Sequence, residues 1–226
     1  DIYNQFLLDF MTTNKDKSLK EIFQLFEATS DLVLSQLNTL RKTIKDDGAI
    51  GISESRMDQM EEIETQIDEN ELKLDALIIQ TIVLYKPVAS EIRRLFAIYR
   101  MINNLERVGD LSMKVAKILN RILEGENAKQ TLPLLRTMLK QAINMIHDSL
   151  LSFINRDVEL ALATIKKDEE IDRLNQKLLK RAIKELDVAN QSSGLFLITD
   201  IRSILSSIER IGDHATNISE ASVYAL

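Results

Sequence analysis

Leu105-Glu-Arg-Val-Gly-Asp110 recurs as Ile208-Glu-Arg-Ile-Gly-Asp213, about 103 residues further along a chain of 226. Four positions are identical, and the other two exchange one aliphatic residue for another. Self-similarity at this distance is the signature of a duplicated unit. The chain therefore reads as two copies of one module. The first spans 1–125, with an atypical opening at 1–17, and the second spans 131–226. The intervening Gly125–Gln130 serves as the linker.

Outward from the repeat, helix signals divide each copy into three. Ser18-Leu-Lys-Glu21 has the spacing of a capping box and predicts the start of helix one. Asp46-Asp-Gly-Ala-Ile-Gly51 predicts its end. Ser53 is placed to cap helix two, which runs to about Tyr85. Pro87 suits the first turn of helix three, where its missing N–H costs nothing. Helix three ends near Gly125, helix four follows Thr131-Leu-Pro133, helix five follows Asp157, and helix six starts near Ser193-Gly194. The fold class is all-α: two tandem three-helix bundle repeats, six long helices in all.

Composition agrees. The chain has 45% hydrophobic residues, enough for a sizeable core, but only six Gly and two Pro. Leu, Ile, Lys and Glu abound, and straight-chain residues lose little rotamer freedom in a helix. No Asn-Gly or Asp-Gly hairpin turn is present. The formal charge of −6, without a basic run, argues against nucleic acid as a partner. The absence of Cys excludes disulfides and thiolate metal sites, and fits a reducing compartment. The apolar stretch 77–85 is interrupted by Gln80 and Thr81 and falls far short of the roughly 20 residues that span a bilayer, so direct membrane insertion is not expected. No signal-peptide pattern opens the chain. It begins at Asp1 rather than Met, which is compatible with a missing upstream segment.

The repeated motif carries chemistry. Glu106 and Asp110 are four apart, so a helix stacks them on one face, as it does Glu209 and Asp213. With 35 acidic residues in 226, about five such pairs arise by chance, and the plain reading of any one is a solvated face. Position raises the stakes. The preceding helix of each copy has its own pair, Glu64 with Asp68 and Asp168 with Asp172. In the first copy both pairs lie about 21 residues from the turn at Pro87, which places them at one level, roughly 30 Å from the hairpin tip. The second copy repeats this around Asn190. Each hairpin thus brings four carboxylates to a common height.

Such crowding must be relieved by raised pKa values or by bound cations. Oxygen donors in this number suit hard cations such as Mg²⁺, Mn²⁺, Ca²⁺ or iron, singly or as a multinuclear group. Zinc fits less well with two His and no Cys. On a helical wheel Glu106 and Asp110 fall at the edge of the apolar stripe of Ile98, Ile102, Leu105 and Leu119, with Tyr99, Asn103 and Lys117 on their side. The mid-helix Gly109 and Gly212 either permit close helix packing, the favoured reading, or make room beside the carboxylates. Arg107 and Arg210 point away from the glutamates and read as ion-pair partners of a neighbouring helix. His214 reads as a packed or surface histidine, and His147 as structural. Met57, Met60, Met101, Met113, Met138 and Met145 read as core filler. Neither histidine has a Glu three residues before it, as the ferritin-like di-iron motif needs. No nucleophile–histidine arrangement or Gly-rich phosphate loop is present, so enzymatic activity is not expected.

These motifs resemble the PhoU family. Pro87-Val-Ala-Ser-Glu-Ile-Arg93 leading into Leu105–Asp110 looks like the family's first repeat. Asp168-Glu-Glu-Ile-Asp172 and Ile208-Glu-Arg-Ile-Gly-Asp-His-Ala-Thr-Asn-Ile218 look like its second. The similarity covers roughly 54–226. The opening helix departs from it, as does Asn190-Gln-Ser-Ser-Gly194, which stands where the first copy has its proline segment. The resemblance implies a non-enzymatic negative regulator of phosphate uptake and phosphate-starvation signalling. It implies docking to the ATPase of a phosphate-specific ABC transporter and to a phosphate-sensing histidine kinase, commonly as a homodimer. It implies a cytoplasmic location, with a peripheral position at the inner face of the membrane as a variant. It further implies metal ligation by Glu64, Asp68, Glu106 and Asp110, and by Asp168, Asp172, Glu209 and Asp213. Two alternatives stand beside this reading, the cytoplasmic PhoU-like domain of a sodium/phosphate cotransporter and a metal-free helical scaffold.

Overall fold

The computed structural model describes residues 2–44, 52–122, 132–186 and 193–226. They form six helices: α1 (Ile2–Thr43), α2 (Glu54–Tyr85), α3 (Ala89–Ile122), α4 (Leu132–Asn155), α5 (Val158–Leu186) and α6 (Ser193–Ala225). No β-strand occurs among the described residues. The all-α, two-by-three-helix architecture is as the sequence predicts. The expected helix-one terminator at 46–51, the linker at 125–130 and the turn at Asn190 lie outside the described residues.

Local chemistry explains several helix ends. Ser53 is extended (φ −87°, ψ 153°), and its hydroxyl accepts from the Arg56 N–H at 3.3 Å, capping α2. Asp157 does the same for α5, its Oδ1 accepting from the Leu160 N–H at 2.9 Å. Two expectations need correction. α1 begins at Ile2, so Ser18 and Glu21 sit mid-helix. The Ser18 hydroxyl instead shares a 2.6 Å hydrogen bond with Thr81 on α2, a tertiary use that the capping pattern cannot distinguish. Pro87 precedes α3 rather than opening it. Val88 is the flanking residue there, and its N–H is taken by the Glu91 carboxylate at 2.8 Å, half of a capping box without the hydroxyl.

Within each copy the helices pack side by side, and the two copies meet chiefly through α3 and α6. Asn104 of α3 meets His214 and Asn217 of α6, whereas Arg121 meets Asp200. Progress along α3 is thus retreat along α6, and the two helices run antiparallel. Between those contacts, Val108–Gly109 lies level with Ile211–Gly212. The repeated motifs therefore cross at their midpoints, on the local two-fold that relates the copies. Val108, Ile211, Leu105 and Ile208 are all fully buried at this crossing. Ile98, Ile102 and Leu119 are buried too, as is every core methionine named above except Met57, which is partly so. α1 closes one side, where Phe23 and Phe26 pack on Phe153 of α4.

Leu105→Ala should lower the unfolding free energy by about 3 kcal/mol, through lost transfer energy and an unfilled cavity. Ser53→Ala, which removes only a cap, should cost about 1 kcal/mol. Urea denaturation of the two variants measures both.

Candidate metal centres

Each acidic cluster is built between two antiparallel helices of one copy. In the first, Glu64 and Asp68 come from α2 and Glu106 and Asp110 from α3. Asp68, Asp110 and Glu106 all act electrostatically on Glu64, so the four carboxylates share one neighbourhood. Glu64 lies deepest. Its Oε2 accepts from Gln36 Nε2 of α1 at 2.7 Å, whereas its Oε1 is buried without a hydrogen-bond partner. Burial, reinforced by the three like charges and only partly opposed by Gln36, pushes its pKa up to about 7. Burial also raises Asp68, with Asp110 adding to it, and raises Glu106 against the pull of Arg107. The Glu106 side chain is 19% exposed and that of Asp110 56%, so the cluster opens to solvent on the Asp110 side. A groove of about 750 Å³ leads from Glu64 and Asp110 past Lys114 and Lys117, with Ser203 of α6 on its wall.

The second cluster follows the same plan. Asp168 and Asp172 come from α5, and Glu209 and Asp213 from α6. Burial, then Asp213 and Asp172, raise Asp168, with Thr216 opposing. Burial, then Glu209 and Asp172, raise Asp213. The structure thus brings together the four expected residues of each copy. Among the described residues, however, no three His, Cys, Asp or Glu side chains are gathered closely enough to enclose an ion. The carboxylates share a level and a field, but they do not form a closed cage.

The copies differ in detail. A Cβ at Gly109 would lie 2.7 Å from Glu64 Oε2, so this glycine makes room for the carboxylate. At Gly212 the nearest atom would be Ile171 Cδ1 at 3.2 Å, with Asp168 Oδ1 at 3.6 Å, so that glycine serves mainly close packing. The favoured sequence reading holds at Gly212 and fails at Gly109. One methylene accounts for it, because Glu64 reaches over the partner helix and Asp168 does not.

Arg107 also departs from expectation. It pairs on its own helix, with Glu106 at 3.3 Å and Asp110 at 3.5 Å. Adjacent residues point about 100° apart, but the long guanidinium arm bends back across the gap. His214 is half-buried and hydrogen-bonded to Asn104 across the α3–α6 crossing. Burial together with Arg210 and Arg107 lowers its pKa to about 4, so it is neutral there. His147 is largely exposed, 3.6 Å from Asp148.

One residue escaped the sequence reading. Glu71 lies a turn beyond Asp68, and its pKa is raised by burial and then by Asp75 and Asp68. It in turn raises Glu106. The i, i+4, i+7 series of Glu64, Asp68 and Glu71 was the available signal. Its counterpart in the second copy is Asn175, which donates to Glu209. The first cluster therefore has a fifth carboxylate where the second has an amide donor.

Two antiparallel three-helix repeats, crossing at paired acidic motifs, define a duplicated helical bundle of the carboxylate-bearing kind. The chain belongs to the PhoU family: the family model described as PhoU domain matches it twice, over 30–119 and 135–222. It is 28% identical to the phosphate-specific transport system accessory protein PhoU homolog 1 of Thermotoga maritima, over 95% of this chain and 86% of that one. It is 30% identical to a PhoU homolog of Pseudomonas putida bearing the same description, over 93% and 84%. The crystal structure of PhoU from Pseudomonas aeruginosa superposes with a TM-score of 0.84 at 26% identity, covering 93% of this chain and 97% of that one. PhoU from Streptococcus pneumoniae, at 0.79 and 24%, shares the fold.

Two outcomes are expected in the presence of chelator. The folded chain holds the Glu64 proton more tightly than the unfolded chain, so the linked stabilisation is present below about pH 4.5 and is lost as the pH rises through about 7. Glu64→Gln should thus gain stability over the parent at pH 8 and not at pH 5, as read from denaturant midpoints. Gly109→Ala should be more stabilising in a Glu64→Ala background than alone, because helix propensity then acts without displacing the carboxylate.

Proposed function

We propose that this chain is a non-enzymatic negative regulator of phosphate uptake and phosphate-starvation signalling. The observation that carries the reading is its near full-length similarity to accessory proteins of phosphate-specific transport systems, over 95% of this chain and 86% of the Thermotoga maritima relative. On this reading it works in the cytoplasm, as a homodimer. It docks to the ATPase of a phosphate-specific ABC transporter and to a phosphate-sensing histidine kinase. No helix among the described residues is long and apolar enough to cross a membrane, and docking needs none.

The clusters would hold hard cations, iron, Mg²⁺ or Mn²⁺, with zinc less suited to an all-oxygen donor set. Three features support this fit. Crowded carboxylates with raised pKa values are what a cation relieves. The buried, unpartnered Glu64 Oε1 is an oxygen in want of a ligand. The clearance at Gly109 keeps the position of Glu64 open. Glu64, Asp68, Glu106 and Asp110 would ligate in the first copy, and Asp168, Asp172, Glu209 and Asp213 in the second, after their side chains turn inward. A bound cation would cancel the repulsion and draw α2 to α3 and α5 to α6. The acidic faces would then form a docking surface rather than a reaction centre, since His214 faces Asn104 and offers the carboxylates no general acid.

Adding Mn²⁺ or Mg²⁺ to chelator-treated protein should raise its melting temperature, and Asp110→Ala with Asp213→Ala should abolish the rise while leaving the fold intact. Deleting the protein in its host should raise phosphate uptake in phosphate-rich medium, and the double variant should fail to restore repression. Unchanged uptake on deletion would overturn the regulatory reading. Retained cation response in the double variant would overturn the metal assignment.

A further inference from the structure

Helix packing gathers the tips of two hairpins at one end of the bundle. Lys15–Glu91 and Ser18–Thr81 tie α1 to the α2–α3 tip. Phe23 and Phe26 on Phe153 bring in the α4–α5 tip, and Ser152–Ser222 adds the end of α6. Both tips turn through a residue in the left-handed region, Lys86 at φ 44° and Arg156 at φ 56°. Glycine is the usual occupant of that position, because a side chain strains it. The helix dipole favours a cation near a helix end, but it does not require the cation to take the strained residue.

A second cation lies in the field of Arg156. The Arg94 guanidinium lies 4.4 Å above the Phe23 ring, partly buried. Burial and the nearby Arg156 charge lower its pKa. No carboxylate among the described residues pairs with either arginine. Two neighbouring like charges, one stacked on an aromatic face and neither paired with a carboxylate among the described residues, suit an oxyanion. Exposed large apolar side chains also occur toward this end: Val88 of the first tip and Phe96 two turns into α3, Ile154 and Val158 flanking the second tip, and Tyr224 near the end of α6. The opening of α1, with the sequence Ile2-Tyr-Asn-Gln-Phe-Leu-Leu-Asp-Phe-Met11, runs about 15 Å beyond this end at 1.5 Å per residue.

We infer that this end is a peripheral attachment surface for an anionic lipid bilayer, with Arg94 and Arg156 taking headgroup phosphates and the apolar rim entering the interface. Cations and large apolar side chains on exposed tips match a charged, apolar-backed interface, which the projecting opening of α1 would enter first. A groove would select a peptide, and these residues are carried on tips and a helix end instead. The acidic clusters lie mid-bundle, away from this end, so the inference is independent of metal binding.

The test is flotation of the full chain with vesicles of phosphatidylglycerol and phosphatidylcholine, against phosphatidylcholine alone, in chelator so that divalent ions bridge nothing. Binding is expected to the anionic vesicles only, weakening as salt is raised. Arg94→Gln and Arg156→Gly should each lower the partition coefficient about fivefold. Val88→Ser with Phe96→Ser should lower it as well. Arg156→Gly is the discriminating variant, because glycine suits the left-handed position and its melting temperature should be unchanged or higher. Equal binding to neutral vesicles, no binding to either, or unaltered binding by Arg156→Gly would overturn the inference. So would a thermal shift with inorganic phosphate or an acidic polypeptide, lost in Arg156→Gly, when vesicles do not bind.

Discussion

The antiparallel crossing of α3 and α6 is the contact on which the rest of the molecule depends. Each of these helices is the third of its copy, and each presents an apolar stripe too broad for its own two partners to cover. Laying one stripe on the other buries Leu105, Val108, Ile208 and Ile211 together, and gives two small repeats a shared core that neither could build alone. The same crossing sets both acidic motifs at one level. Their carboxylates are turned outward, because the apolar residues between them are turned in. Packing and electrostatics are therefore two consequences of one helical register.

Duplication supplied two clusters, and divergence then separated them. The first has Glu64, Gly109 and Glu71, and the second has Asp168, Gly212 and Asn175. Glutamate is one methylene longer, reaches over the glycine and becomes the most perturbed carboxylate of the set. Aspartate stops short, and Ile171 takes up the space. Where Glu71 adds a negative charge beside Glu106, Asn175 donates a hydrogen bond to Glu209. The first cluster thus holds the more perturbed carboxylate, although each cluster takes one amide hydrogen bond, from Gln36 or Asn175, and each keeps one buried carboxylate oxygen without a partner among the described residues. At the hairpin end Glu91 is paired with Lys15, while Arg94 and Arg156 lie near each other with no carboxylate partner among the described residues.

Much of this was legible in the chain itself. Caps at Ser53 and Asp157 were readable because a hydroxyl or carboxylate three residues before a free N–H acts locally, whatever surrounds it. The acidic levels were readable because helical rise is constant. Ser18 misled for the opposite reason: its hydroxyl answers to Thr81, 63 residues away. Pro87 misled by two residues, since Glu91 could cap the Val88 N–H and move the helix start past it. Arg107 turned back to its own helix because its length outruns the 100° that separates neighbours.

By itself the sequence determined the six helices, the duplication and the eight carboxylates on their faces, all of which follow from short-range periodicity and from a repeat visible by eye. Tertiary structure alone decided which glycine shelters a carboxylate, that Glu71 joins the first cluster, and that Arg94 stacks on Phe23. Those facts depend on distances between helices, to within the length of one methylene or one guanidinium. No pattern along a single chain encodes a distance of that kind, because it is set by how all six helices fill their common core.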